Sequence, residues 1–196
     1  MSLPSAYDLL IEPNFLSESI CQNIIGEANN DASVRATVYG RTDSGSVDER
    51  VRKTSRLSVS REMVQLVINR LLEYKPSVEQ HFQVPLRDCE EPQFLRYDVG
   101  DFFVAHQDGN TGLIRLASDA DRRISIVIFL NPQNDEPSAQ GYSGGSLKFS
   151  DYRKAAVDAF SMPVETGLLV AFRSELTHEV TPVTRGIRYS IASWYR

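Results

Sequence analysis

His178-Glu179-Val180-Thr181-Pro182-Val183-Thr184-Arg185-Gly186-Ile187-Arg188-Tyr189-Ser190-Ile191-Ala192-Ser193-Trp194 lies beside the C-terminus of this 196-residue chain. Its second half alternates with the period of a β-strand, in which successive side chains take opposite faces. Ile187, Tyr189 and Ile191 fall on one face. Arg188, Ser190, Ala192 and Trp194 fall on the other. If the second face lines a barrel, Ser190 and Ala192 leave space there. An arginine beside that space is costly to bury without an anionic partner. A ligand carboxylate would supply one, in a two-pronged geometry that lysine cannot copy. An exposed arginine, or one paired with an internal Asp or Glu, is the alternative.

The strand texture extends upstream. Short apolar runs at 93–105, 123–130, 146–149, 167–173, 178–183 and 187–195 read as strands. Asn131-Pro132, Gly144-Gly145 and Arg185-Gly186 mark turns between them. Regularly spaced short strands suggest a sandwich or barrel. Two helical patterns precede them. One begins at Ser17, a plausible N-cap, and runs to about Asn29, with Ile20, Ile24, Ile25 and Ala28 at helical spacing. The other follows Ser60, with Met63, Val64, Val67, Ile68, Leu71 and Leu72 on a broad apolar face that Pro76 interrupts. Residues 33–56 between the helices are polar and arginine-rich. They read as a solvated loop or hairpin, or as a lid over a polar substrate. Residues 110–122 read as a loop between strands.

The chain has three histidines. His106 stands two residues before Asp108 at the end of a strand, so both side chains can reach one side. His178 can join them from a later strand. Two imidazoles and one carboxylate on one face of an ion leave positions open, which suits Fe(II) with a chelating co-substrate and dioxygen. A closed zinc site would need a fourth ligand. Taken singly, His106 and His178 also fit hydrogen-bonded strand ends.

Composition agrees with one soluble domain. Hydrophobic residues make up 41% and charged residues 24%, with a net charge of -5. The acidic balance argues against a general affinity for nucleic acid or anionic membranes. Cys21 and Cys89 form no CxxC pair and read as reduced thiols. No apolar run approaches the roughly 20 residues of a membrane helix, and the N-terminus carries no secretory pattern. A cytoplasmic protein is the expectation.

Together, His106-x-Asp108, His178 and Arg188 ten residues later resemble the prolyl 4-hydroxylase-like family of Fe(II)/2-oxoglutarate oxygenases. The segment from Leu95-Arg96-Tyr97 to His106 resembles that family's approach to the first ligand. Gly144-Gly145-Ser146-Leu147 resembles its Gly-Gly-x-Leu strand, and Val51-Arg52-Lys53-Thr54-Ser55 is a weaker echo of its Arg-Thr-Ser segment. The resemblance covers about Tyr97 to Trp194. It implies a mainly β fold with N-terminal helices, built on a double-stranded β-helix (a cupin-like jelly roll). Residues 1–90 would be helical support and lid, and 91–196 the metal-binding core.

It further implies that His106, Asp108 and His178 hold Fe(II), and that Arg188 binds the distal carboxylate of 2-oxoglutarate. Tyr97 would line that pocket with Ser190, and Leu147, Val180 and Trp194 would form its apolar walls. One departure matters: Phe129 stands where members often have a tyrosine whose hydroxyl bonds 2-oxoglutarate, so Ser190 or Tyr97 would have to compensate. The implied reaction consumes dioxygen and 2-oxoglutarate, gives succinate and CO2, and hydroxylates an unactivated C–H bond, with ascorbate admitted as reductant. Three readings stay open: a peptidyl hydroxylase acting on a residue such as proline, a hydroxylase of a free amino acid or other small metabolite, and a catalytically silent metal-binding β-barrel. A halogenase is disfavoured because Asp108 is present, and nucleic-acid demethylation by the charge balance.

Overall fold

The computed structural model describes residues 7–30, 34–35, 50–109, 121–134, 140–150, 160–161 and 164–196. Most of the stretch 33–56 and nearly all of 110–122 lie outside them, and with them the readings of a lid and of a loop.

Helix α1 (Glu18–Asn30) starts at the expected serine: Ser17 Oγ accepts from the Ile20 amide at 3.4 Å. Cys21, Ile24 and Ala28 are its buried stripe. Helix α2 (Arg61–Phe82) is capped by Ser60, whose Oγ accepts from the Met63 amide at 3.3 Å. The same serine's amide donates to Glu27 Oε2 at 2.8 Å, which ties the start of α2 to α1. Pro76 was expected to interrupt this helix, and it does not. The helix continues to Phe82 because Val78 and Phe82 carry on the buried stripe begun by Val67 and Leu71. The carbonyl that Pro76 leaves without its amide partner belongs to Leu72, an exposed residue that water can serve. One position earlier, the Leu71 carbonyl accepts from the Tyr195 hydroxyl at 2.5 Å.

Both helices cover one face of a seven-stranded sheet, in the order β1-β11-β7-β14-β5-β4-β2. Its strands are β1 (Leu9–Glu12), β2 (Val34–Arg35), β4 (Ser55–Leu57), β5 (Gln93–Tyr97), β7 (Ile124–Phe129), β11 (Leu169–Arg173) and β14 (Arg188–Tyr195). A five-stranded sheet, in the order β10-β9-β12-β6-β3, packs on its other face. It comprises β3 (Arg52–Lys53), β6 (Phe102–His106), β9 (Leu147–Ser150), β10 (Phe160–Ser161) and β12 (Thr177–Val180). A short pair, β8 (Ser143–Gly144) with β13 (Val183–Arg185), stands apart. The architecture is the expected jelly roll.

Period-two alternation explains why the central strands are buried on both faces. In β7, Ile124, Ile126 and Ile128 meet the helices, while Ser125, Val127 and Phe129 face inward. In β14, Tyr189, Ile191 and Tyr195 meet the helices, and Arg188, Ser190, Ala192 and Trp194 take the interior side, as the sequence pattern requires.

Two expected strands are each divided. The run 93–105 turns at 98–101, where Gly100 has φ +84° and the Asp101 amide donates to the Asp98 carbonyl at 2.9 Å. The turn sends β5 into the larger sheet and β6 into the smaller one. The run 178–183 leaves β12 before Pro182, which has no amide to continue the ladder. Gly167, at φ +77°, is required where the chain enters β11: a side-chain carbon there would fall on the Leu16 carbonyl.

Candidate metal centre

Strands β6 and β12 are antiparallel neighbours, and their register puts His106 directly opposite His178. Adjacent strands lie roughly 5 Å apart, so opposed side chains on one face converge. The two ring centroids are 4.2 Å apart. Just past β6 the chain is pinned to β11's exit, because the amides of Asp108 and Gly109 donate to the Ser174 carbonyl at 2.9 and 3.2 Å. That anchor turns Asp108 toward the imidazoles. His106 Nε2 lies 3.4 Å from Asp108 Oδ1, and His178 Nε2 lies 3.5 Å from Oδ2. One ligand atom from each of the three falls within 4.8 Å of the others.

The backbone sets both tautomers. His106 Nδ1 is 2.8 Å from the Val104 carbonyl, and His178 Nδ1 is 3.0 Å from the Leu176 carbonyl. A carbonyl can only accept, so each Nδ1 carries the proton and each Nε2 presents a lone pair inward. Phe103 stacks on His106 with centroids 3.6 Å apart, and Phe172 meets His178 edge-on at 4.7 Å. Ser125 Oγ donates to Asp108 Oδ2 at 2.8 Å and lies 3.0 Å from Ser174 Oγ. Two neutral imidazole nitrogens and one carboxylate, aimed at a common point and held from behind, fit a divalent ion of the Fe(II) type.

Burial pushes the Asp108 carboxyl up, but the neighbouring His178 and His106 outweigh it and hold the group well below the usual carboxylate range. The Trp194 indole N–H also favours that carboxylate, yet it makes no full hydrogen bond. Burial, then the charge of His106, depress His178 from 6.5 to about 4, with Asp108 and the Leu176 carbonyl pulling the other way. The unfolded chain therefore binds more protons than the folded one between those two values, and its stability falls as pH drops through that window. Asp108 acts with the same sign at lower pH. The metal-free protein is expected to lose thermal stability steadily from pH 6.5 to about 4. A flat unfolding profile across that window would mean that His178 is not held neutral.

Arg188 sits at the other end of the interior face of β14 and is 1% exposed. Its Nη1 donates to Ser190 Oγ at 2.7 Å, and its guanidinium carbon stands 4.9 Å from the Tyr97 ring centre and 5.1 Å from that of Phe129. Its Nε has no hydrogen-bond partner among the described residues. Between Arg188 and Trp194, β14 has one position that is not fully buried, Ala192. In β7 the one such position is Val127, and the two are paired in register. These half-buried neighbours lie side by side on the interior face, on the stretch of β14 between Arg188 and Trp194.

Residues 92–196 match the 2OG-Fe(II) oxygenase superfamily. The chain belongs to that superfamily. Among curated relatives, the oxygenase chain is 32% identical over 167 residues to a PKHD-type hydroxylase of Paracoccus denitrificans, covering 81% of this chain and 66% of the relative. It therefore spans just under two thirds of that relative's length. Among solved structures, a Pseudomonas putida prolyl-4-hydroxylase has TM-score 0.69 at 23% identity, over 98% of this chain and 94% of that one. A Trichoplax adhaerens prolyl hydroxylase, solved with a hypoxia inducible factor peptide fragment, has TM-score 0.69 at 18% identity, over 97% and 84% of the two chains. The chain shares the fold of these two prolyl hydroxylases.

The oxygenase fold brings the residues singled out in the sequence into two groups. His106, Asp108 and His178 form one, with Trp194 beside Asp108. Arg188, Ser190 and Tyr97 form the other, with Val180 packed in the Tyr97 cluster and Leu147 in the Phe129 cluster. Three features of the oxygenase went unread. Ser125 supports Asp108, and its signal was a lone polar residue in the run Ile124-Ser125-Ile126-Val127-Ile128. Arg122 stacks on Trp194 at 3.8 Å while Glu90 grips its Nε and Nη2 at 2.8 and 2.7 Å, a pairing with no local sequence signal. Tyr142 is the third. Among the oxygenase's described residues, no helix is long and apolar enough to cross a membrane.

Proposed function

We propose that this chain is a 2-oxoglutarate-dependent dioxygenase that hydroxylates an unactivated C–H bond, with a peptidyl residue such as proline as its substrate. The observation that carries the reading is a buried arginine whose Nε has no hydrogen-bond partner among the described residues, on the interior side of the same barrel as a His–Asp–His cluster. Two aromatic faces offer such a charge roughly 0.5–2 kcal/mol each. Desolvating it costs several kcal/mol. The difference calls for an anion, and a co-substrate carboxylate is one.

In this reading His106, Asp108 and His178 hold iron through Nε2, carboxylate and Nε2. Arg188, steadied by Ser190 Oγ, takes the distal carboxylate of 2-oxoglutarate. Tyr97 and Phe129 flank it, while Leu147, Val180 and Trp194 keep water out. When bound, iron supplies activation of dioxygen coupled to decarboxylation of 2-oxoglutarate to succinate and CO2, with ascorbate as reductant. The remaining work of the protein is orientation, and no side chain is needed as general base. The prolyl hydroxylases of like fold, one of them bound to a peptide, support the choice of a peptidyl substrate.

Succinate formation should be followed with Fe(II), 2-oxoglutarate and either proline-containing peptides or free amino acids. Peptides are expected to stimulate turnover. Stimulation by a free amino acid alone would move the assignment to a small-molecule hydroxylase, and no 2-oxoglutarate consumption under any condition would sink the enzyme reading. Ser125→Ala removes the hydroxyl behind Asp108 and leaves all three ligands. Fe(II) affinity is expected to fall about 10- to 100-fold, the usual range for such supporting partners. Anaerobic titration would read it, and wild-type affinity would mean that Asp108 is oriented by other groups.

A further inference from the structure

Tyr142 is 1% exposed, and its hydroxyl makes no full hydrogen bond among the described residues. Buried tyrosine hydroxyls ordinarily find one. The residue is not loosely held. Its amide donates to the Pro132 carbonyl at 3.1 Å, and its carbonyl accepts from the Asn134 amide at 2.8 Å. Gly186, at φ +71°, lets the neighbouring turn close on its Cα.

Its ring borders Arg188. A side-chain carbon built on Gly145 would lie 3.1 Å from Arg188 Cδ and 3.2 Å from Tyr142 Cε2, so both residues edge the gap that Gly145 leaves. The charge of Arg188 reaches the phenol as well. Burial raises the Tyr142 hydroxyl above its ordinary value, and Arg188 draws it only part of the way back. The group thus keeps its proton at neutral pH and is a donor. Arginine offers donors only, so even a bond from Arg188 to the phenol oxygen leaves the phenol proton without an acceptor. Arg188 Nε–H makes no full hydrogen bond among the described residues, and the Tyr142 phenol proton beside it has no acceptor there. A carboxylate is an acceptor-only group that satisfies both.

Two neighbours already serve the guanidinium. Ser190 Oγ accepts from Arg188, and Tyr97 meets the guanidinium with its ring face. Phe129 has no hydroxyl to give. We propose that Tyr142 donates the second hydrogen bond to the distal carboxylate of 2-oxoglutarate beside Arg188, supplying from the segment before β8 the hydroxyl that Phe129 lacks on β7. This rests on Arg188 being the carboxylate site.

The test is anaerobic titration of the Fe(II)-loaded full chain with 2-oxoglutarate and, separately, with pyruvate, a 2-oxo acid without the distal carboxylate. Tyr142→Phe is expected to weaken 2-oxoglutarate about 10- to 100-fold, as loss of one hydrogen bond to a charged group does, and to leave pyruvate and Fe(II) affinity unchanged. Adding Phe129→Tyr to Tyr142→Phe is expected to recover much of the loss by restoring a hydroxyl from the opposite wall. Arg188→Met separates the two claims. If that variant binds 2-oxoglutarate like wild type, the carboxylate site itself is misassigned. If it loses 2-oxoglutarate while Tyr142→Phe keeps wild-type affinity, only the role of Tyr142 fails. Equal weakening of 2-oxoglutarate and pyruvate by Tyr142→Phe would make the tyrosine a structural residue and overturn the proposal.

Discussion

Replacing His178 with alanine is expected to abolish Fe(II) binding and, with it, consumption of 2-oxoglutarate. Partners behind a ligand are worth about 10- to 100-fold in metal affinity, so loss of a ligand should exceed about 1,000-fold. His178 is the stronger choice of the two histidines because it is 5% exposed and water cannot readily take the place of its Nε2 in the same geometry. The substitution also removes a buried ring from contact with Phe172 and Phe149. Some loss of metal-free stability will therefore accompany it, on the order of 2–4 kcal/mol if the cavity does not collapse. The informative quantity is the gain on adding metal. A site occupied at 100 times its dissociation constant stabilises the fold by about 2.7 kcal/mol. Wild type should show such an upward shift in its unfolding transition, and His178→Ala none. An undiminished shift in the variant would place the ion elsewhere.

How much of this could be read in advance follows from which interactions are local. The interior face of β14 was legible because alternation is a property of consecutive residues: Arg188, Ser190 and Ala192 needed no partner to be placed together. His106 and Asp108 were legible for the same reason. What brought His178 to them is the β6–β12 register, which no local pattern encodes, and there the family resemblance carried the inference. Ser125 and Tyr142 mark the limit. Ser125 matters because it supports a residue on another strand. Tyr142 matters because a glycine elsewhere lets Arg188 come close. Each is a relation between segments rather than a pattern within one. The same limit explains the misreading at Pro76. A proline breaks an isolated helix, but the continued burial of Val78 and Phe82 outweighs one missing hydrogen bond. It also explains β1, four residues that are a strand because they pair with the β11 edge and pack on both sides of the sheet.

Arg188→Met is expected to weaken 2-oxoglutarate on the order of 10²- to 10⁴-fold, to leave Fe(II) affinity unchanged, and to leave the metal-free fold as stable as wild type or more so. The first expectation follows from two charge-assisted hydrogen bonds, at roughly 1.5–3 kcal/mol each. The last follows from the state of the arginine without ligand. Its Nη1 has Ser190, and its plane has Tyr97 and Phe129, but among the described residues its Nε has no hydrogen-bond partner and its charge no carboxylate in an ion pair. A buried charge in that condition weakens the fold by more than its packing strengthens it, and exchange for an apolar chain of similar volume is often neutral or stabilising. Methionine suits the test because it is long and unbranched, whereas alanine would add a cavity to the lost charge. Wild type should therefore gain stability on binding 2-oxoglutarate, and the variant should begin at least as stable and gain nothing. If Arg188→Met instead lowered metal-free stability by several kcal/mol and bound 2-oxoglutarate normally, the arginine would be a structural cation. The anion that its burial calls for would then lie within the chain itself.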